Sequence, residues 1–290
     1  MKPASFSYLR PASLEEALAQ LAHTDGAKVI AGGQSLGPML NMRLATPAAL
    51  VDINDMTELA YARDLGDALE VGALTRHDHV ANSETVRRCC PLLAQAATTI
   101  GHYAIRQRGT LGGSLAHADP AAQLALVAVT LDARINVASV RGQRSLPAAD
   151  FFAGVMATAL EPDEMICSVR FPKMLPGEGT AFLHFNRRHG DFAIVAVAGT
   201  VTLRDGRAAS LRIGVSGAAA TPLSLSRLAG EFVGRVPDAA WIDQLAAAAQ
   251  AAIAPEDNPR IPAAYRKELA ATLVRRAMQR ALARAQEGLA

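Results

Sequence analysis

Six consecutive residues, Gly109-Thr110-Leu111-Gly112-Gly113-Ser114, put the sharpest limit on how this chain folds. They interrupt an aliphatic helical pattern that ends near Ile100 and resumes near Gln123. Glycine admits positive φ and lacks the Cβ that keeps another backbone or a ligand at a distance. Such a cluster marks either a tight turn between packed elements or a loop built to touch something. Free N–H groups and the two hydroxyls could donate to phosphate oxygens. From these residues alone the packed turn and the ligand loop are equally good readings.

A second stretch of the same character follows a short apolar strand pattern at residues 28–31: Gly32-Gly33-Gln34-Ser35-Leu36-Gly37-Pro38. A strand that runs into a glycine loop is where a phosphate is expected to meet backbone amides. The spacing is not G-x-G-x-x-G, and Pro38 stands where a P-loop requires lysine, so neither the Rossmann nor the P-loop plan fits. Two phosphate-friendly loops without a lysine point to an extended diphosphate gripped from both sides by amides and hydroxyls. That describes a dinucleotide site outside the Rossmann plan.

The rest of the chain narrows the function classes. Its 290 residues allow two or three domains, and a net charge of +2 gives no electrostatic case for nucleic acid. With 4% aromatic residues, a stacking platform for single strands is not supported either. The first eight residues lack an apolar signal core and no long apolar run is present, so a cytoplasmic protein without a membrane span is expected. Three cysteines, Cys89, Cys90 and Cys167, are too few for an iron–sulfur cluster of the usual four ligands. Cys89 and Cys90 with His77 and His79 match no standard zinc spacing, so no metal is expected on this chain. Both histidines read as surface or supporting residues, and Trp241 as structural.

Ser13 and Glu16 form a capping-box pattern ahead of an amphipathic helix. Short β patterns lie at residues 50–53, 69–74, 133–139 and 164–171. Thr75 is placed to cap a helix that contains His77, Pro91 opens another, and residues 123–129 read as a buried helix. The Pro/Gly-dense residues 172–179 mark a boundary. Beyond it, β patterns at 180–187, 193–204 and 208–216, the last two joined by an Asp205-Gly206 turn, precede helical patterns at 223–233, 239–253 and 263–285. The arginine-rich side of the last of these, with Arg275, Arg276, Arg280 and Arg284, reads as solvated or partner-facing. The layout is α+β twice over.

Five motifs in order carry a resemblance. They are residues 2–17, Ala31-Gly-Gly-Gln-Ser-Leu36, residues 106–120, Thr158-Ala-Leu-Glu-Pro162 and Arg187-Arg-His-Gly-Asp-Phe-Ala193. Together they resemble the FAD-binding medium subunit of the molybdenum hydroxylases, the xanthine dehydrogenase and carbon monoxide dehydrogenase family, over nearly the whole chain. The resemblance implies an α+β fold: a two-part FAD-binding domain of the vanillyl-alcohol oxidase/p-cresol methylhydroxylase type at residues 1–56 and 57–175. A C-terminal domain of the carbon monoxide dehydrogenase flavoprotein type, a three-stranded sheet plus helices, would follow at residues 176–290.

Carried over residue by residue, Ala31, Gly32, Gly33, Gln34, Ser35 and Leu36 would wrap the FAD diphosphate. Thr110, Gly113 and Ser114 would face it from the second loop, with Gly109 allowing close approach. Ile100 and His102 would line the flavin pocket, and Asp119 would accept from a cofactor hydroxyl or amide. Leu160 would pack at the ring, with Asp191 and Phe192 near its open face. Gln123 departs from the carboxylate of many relatives, and Leu183 and His184 from their lysine or acid. No catalytic acid, base or nucleophile is implied. The flavin would receive electrons from a [2Fe-2S] centre on a small iron–sulfur subunit and pass them to an external electron acceptor. A large molybdopterin subunit would hydroxylate an N-heterocycle, purine, aldehyde or CO, in a dimer of heterotrimers. Arg187, Arg188 and His189 either steer an anionic acceptor or are simply solvated. The alternatives are a stand-alone flavoenzyme of the same fold and a flavin-free assembly subunit.

Overall fold

A computed structural model describes residues 2–288. Among the described residues, three larger sheets, a two-stranded ribbon of Phe152–Gly154 with Ala157–Thr158, and the helices packed on them make a mixed α and β architecture. Near the N-terminus, strands Ser7–Leu9, Ala49–Asp52 and Ala27–Ile30 form a parallel sheet in that spatial order. Helix Leu14–His23 covers it, burying Ala17, Leu18 and Leu21. Ser13 accepts from the Glu16 amide while Glu16 Oε2 accepts from the Ala12 amide, a reciprocal cap displaced by one residue from the usual box.

A five-stranded antiparallel sheet follows, ordered Ala62–Asp64, Ala68–Gly72, Met165–Pro172, Arg134–Ser139 and Gly142–Pro147. The last strand is almost entirely polar and exposed, so it carries no alternating pattern and sequence gives no sign of it. Helices Pro91–Thr98 and Gln123–Thr130 supply much of the main core. All eight residues of Gln123–Thr130 are buried, because it packs under the five-stranded sheet's helices on one side and against the C-terminal sheet on the other. Each fully buried Leu or Val there contributes roughly 1.5–3 kcal/mol.

The C-terminal sheet is antiparallel and has four strands, Glu178–Phe185, Val195–Arg204, Arg207–Ser216 and the two-residue Leu223–Ser224. This corrects both the three-stranded expectation and the helix at 223–233, which is only Ser226–Gly230. Leu223 and Ser224 find ladder partners at Val215 and Gly214, so the helix begins only after Leu225. Asp205 and Gly206 both have positive φ, the geometry of a two-residue hairpin turn. Helix Ala263–Glu287 packs on this sheet and helix Ala239–Ala252 packs on that helix, with Trp241 buried in their shared core. Gly179 lets the final helix dock, since a Cβ there would lie 1.8 Å from the Ala281 carbonyl oxygen.

The two glycine stretches at the candidate functional site

The second glycine stretch is not a loop throughout. Short helices Tyr103–Arg108 and Leu111–His117 flank Gly109 and Thr110, and Gly112 and Gly113 fall in the first turn of the second helix. Thr110 is the N-cap: its hydroxyl oxygen accepts from the Gly113 amide at 3.1 Å. The amides of Leu111 and Gly112 donate to the carbonyls of Thr75 and Ala73, and that of Ser114 to Thr110. These N–H groups are therefore spent inside the protein. What the stretch turns outward is the bare Cα of Gly113 and the half-buried Ser114, whereas Thr110 is buried.

The first stretch is the opposite case. Among the described residues, the amides of Gly32, Gly33, Gln34 and Ser35 donate to no protein acceptor. Gly33, at φ +69°, gives the run the alternating curvature in which successive N–H groups point into one concavity. Helix Leu36–Asn41 starts directly behind it, and the Ser35 hydroxyl does not cap that helix. Gln34 folds its side-chain amide back onto the Gly32 carbonyl at 2.9 Å, which holds the turn while leaving its backbone N–H free.

Gly32 explains why the two stretches lie together. A Cβ on it would sit 1.9 Å from the Arg108 carbonyl oxygen and 3.0 Å from the Gly109 Cα. A polar relay then ties them. Arg76 donates to the Arg108 carbonyl at 2.5 Å and to Asn54 Oδ1 at 2.8 Å, and Asn54 Nδ2 donates to the Ala31 carbonyl at 2.8 Å. Asp52 Oδ1 accepts from the Asn54 backbone N–H at 2.9 Å and from its Nδ2 at 2.6 Å, which fixes that side chain. Sequence reasoning passed over Arg76, Asn54 and Asp52, because each is an isolated polar residue whose partners lie far along the chain.

Of the two readings of His77, surface or supporting, the structure shows the second. The ring is buried, and its Nε2 lies 2.8 Å from the Thr110 carbonyl, so Nε2 carries the proton and donates. Nδ1 has no partner. Burial pushes its pKa down to about 4, the Thr110 hydrogen bond opposing and Arg76 and Arg106 adding to the fall. The space opened by the missing Cβ of Gly109 is filled by this ring, 2.7 Å from where that atom would be. Gly109 thus admits His77, where the sequence suggested it admits a ligand. Nor is Thr75 a helix cap: its hydroxyl donates to the Tyr61 carbonyl at 2.8 Å.

The remaining positions fall around this centre. Ile100 is half-buried against the main core, and His102 is exposed. Gln123 is buried with Nε2 facing the Thr99 carbonyl at 3.4 Å, a contact that an amide makes and a carboxylate cannot. Asp119 Oδ1 accepts from the Ala121 amide at 2.8 Å, which leaves its other oxygen free. Leu160 rides on a turn clamped by Arg144, which donates to the Ala159 carbonyl at 2.8 Å and to both oxygens of Glu164 at 2.7 Å. Arg144, despite the opposing effect of burial, holds the Glu164 carboxyl below its ordinary value.

From the C-terminal half, the connection at residues 186–194 brings His189 within 5.5 Å of the His102 ring, centroid to centroid. Gly190, at φ +88°, presses on His102, for a Cβ there would lie 2.5 Å from Nε2. Asp191 and Phe192 follow on this connection and are exposed. Among the described residues no group of three or more His, Cys, Asp or Glu side chains is placed to hold a metal ion, and no helix is long and apolar enough to cross a membrane.

Residues 4–174 match the family model described as the FAD binding domain in molybdopterin dehydrogenase, and residues 180–281 the CO dehydrogenase flavoprotein C-terminal domain. The chain belongs to the flavoprotein subunits of the molybdopterin dehydrogenases. Among the relatives of this family is the 6-hydroxypseudooxynicotine dehydrogenase complex subunit alpha of Paenarthrobacter nicotinovorans, 40% identical over 98% of this chain and 97% of that one. The carbon monoxide dehydrogenase medium chain of Afipia carboxidovorans is 35% identical over 98% and 99%. Quinoline 2-oxidoreductase from Pseudomonas putida 86 contains a chain that superimposes with a TM-score of 0.93 at 35% identity, covering both chains completely at 100%. This flavoprotein subunit thus has counterparts, over nearly all of its residues, in complexes named for different substrates.

Proposed function

We propose that residues 31–36 bind the diphosphate of FAD and that the neighbouring surface seats its ring. The observation that carries this reading is the run of four unpartnered amides at Gly32, Gly33, Gln34 and Ser35, ahead of a helix N-terminus and braced from behind by residues 108–110. Orphan donors on that scale need an acceptor, and two adjacent phosphates supply enough oxygens. Ser114 and Gly113 border the site from the second stretch. Gly113 does so by offering no side chain, and Thr110 acts through the cap it provides. In this reading Ile100, His102 and Leu160 would line the ring, and the second carboxylate oxygen of Asp119 would accept from the cofactor. The connection bearing Asp191 and Phe192 reaches the same edge through His102.

When bound, FAD supplies two-electron storage with one-electron exchange, linking a [2Fe-2S] centre on a small partner subunit to an external acceptor. The protein's own part is to hold the cofactor, to set solvent access at the ring edge, and to keep His77 neutral behind the loop. The division 1–56, 57–175 and 176–290, the vanillyl-alcohol oxidase/p-cresol methylhydroxylase type of FAD domain and a dimer of heterotrimers with a large molybdopterin subunit complete the reading. Of this, the break near residue 175 is supported by the two family models, which meet between residues 174 and 180.

Co-expressed with its partner subunits, the chain is expected to purify yellow with about one FAD per chain, as a single site implies. A colourless complex that still oxidises substrate overturns the proposal. Gly113→Val is the sharper test. A Cβ there meets only Thr110 Oγ1, at 2.8 Å, and otherwise open space, so the fold survives while the isopropyl group enters the ligand's side of the cap. Flavin content is expected to fall at least about tenfold, the effect of about 1.4 kcal/mol; an unchanged absorbance ratio at 450 and 280 nm rules out that placement.

A further inference from the structure

Where helix Pro91–Thr98, strand Glu178–Phe185 and the final helix come together, a cleft of about 450 Å³ opens, separate from residues 31–36 and 109–114. Its charged lining is Arg87, Arg280 and Arg284, and it contains no carboxylate. Two of these arginines are fixed by neutral acceptors. Arg87 donates to the Ala81 carbonyl at 3.1 Å and to Asn82 Oδ1 at 3.0 Å. Arg284 donates to Gln95 Oε1 at 3.1 Å and to the Thr180 carbonyl at 2.6 Å. Arg280 lies one helical turn before Arg284. Among the described residues none of the three forms an ion pair, whereas Arg10, Arg88, Arg141, Arg144, Arg170 and Arg275 all do.

Hydrogen bonds to carbonyls hold a guanidinium in place without cancelling its charge. The cleft therefore carries oriented positive charge that no carboxylate among the described residues complements. The apolar part of the lining is Ala81, Pro91, Ala94, Ala181 and Phe182. The hydroxyls of Thr98 and Thr99 donate to the Gln95 and Ala96 carbonyls, which leaves anion binding to the arginines. A concave site of this volume with an apolar wall and a few converging polar groups is the usual form of a small-ligand pocket.

We propose that this cleft binds an organic anion of nucleotide size, its phosphate on Arg87 and Arg280 and its flat ring on the wall at Pro91 and Phe182. The apolar wall is what separates this from the seat of an acidic peptide, which needs the charges but not the ring surface. Because the cleft is walled by residues from both halves of the chain, its ligand also bridges them.

The test is calorimetric titration of the FAD-loaded chain, and of the complex with its partners, with AMP and separately with inorganic phosphate. Saturable AMP binding is expected, about tenfold or more tighter than phosphate and weakening as salt rises. Arg87→Glu with Arg280→Glu is expected to abolish it with flavin content unchanged. The neutral pair Arg87→Gln with Arg280→Gln is expected to weaken it by at least about tenfold, which keeps the test valid if charge reversal prevents folding. Arg187→Glu with Arg188→Glu is expected to leave it intact. No saturable AMP binding, equal affinity for phosphate, or binding indifferent to both arginine pairs overturns the proposal. So does a wild-type protein that ignores AMP while the Glu pair blocks complex assembly, since the arginines would then face a partner subunit.

Discussion

At the scale of single residues, the site depends on two atoms that are missing and one proton that is absent. Gly32 and Gly109 lack the Cβ atoms that would collide with the Arg108 carbonyl and the His77 ring. The chain uses both glycines to pack protein against protein, so the free amides of residues 32–35 rest on a rigid back. His77 enforces the arrangement because it is buried as the neutral tautomer with a pKa of about 4. An unfolded chain returns it to about 6.5 and binds a proton that the folded chain refuses. Above about pH 6.5 both states are neutral and the full stability is present. As pH falls from about 6.5 to about 4 the unfolded state gains protons first, and the His77 contribution to instability grows to about 3 kcal/mol. His77→Gln, which keeps a donor for the Thr110 carbonyl but does not titrate, is expected to flatten this limb. Urea midpoints measured from pH 7 to pH 4.5 check it, and equal slopes in the two proteins would remove His77 from the account.

At the scale of elements, Thr110 shows how a residue can be placed correctly in sequence and misread in role. Its hydroxyl was expected to face a ligand, and the glycine-rich composition concealed a helix whose N-cap it is. Glycine lowers helix propensity by about 1 kcal/mol per residue relative to alanine, so Gly112 and Gly113 argued against a helix locally. Tertiary packing decided otherwise: Gly112 lies 2.7 Å, at its would-be Cβ, from the Ala73 Cβ, and only glycine lets that helix approach strand Ala68–Gly72 so closely. Thr110→Ala is expected to cost about 1 kcal/mol of unfolding free energy and Thr110→Ser close to nothing, as for other N-caps. Denaturant unfolding of both variants checks this, and an alanine variant as stable as the parent would show the cap to be idle. The elements that were legible, such as helix Leu14–His23, strand Val195–Arg204 and the Asp205-Gly206 turn, are those whose signals are local. The exposed edge strand Gly142–Pro147 and the relay from Arg76 through Asn54 were not, because their causes are partners across the fold.

At the scale of the whole molecule, residues 32–35 of the N-terminal part carry the unpartnered amides, and the C-terminal part meets the stretch ahead of Gly109 through the contact of Gly190 and His189 with His102. The order of the two family-matched stretches was legible in sequence; this contact was not, because it depends on a left-handed glycine meeting a side chain from another element. The contact gives the last prediction. In Gly190→Ala the methyl group has to occupy φ +88°, costing about 1–2 kcal/mol, and would stand 2.5 Å from His102 Nε2. His102 is exposed and turns aside easily, so the strain is relieved by opening the contact and the fold is retained. None of residues 31–36 moves, and FAD content is expected to stay at the parent's level. What changes is cover at the ring edge: quenching of bound-flavin fluorescence by iodide is expected to rise. His102→Ala removes the same contact from the other side, and adding Gly190→Ala to it should raise quenching no further, because the two variants open one contact. Additive quenching, or quenching unchanged in both single variants, would mean that the C-terminal connection does not cover the flavin.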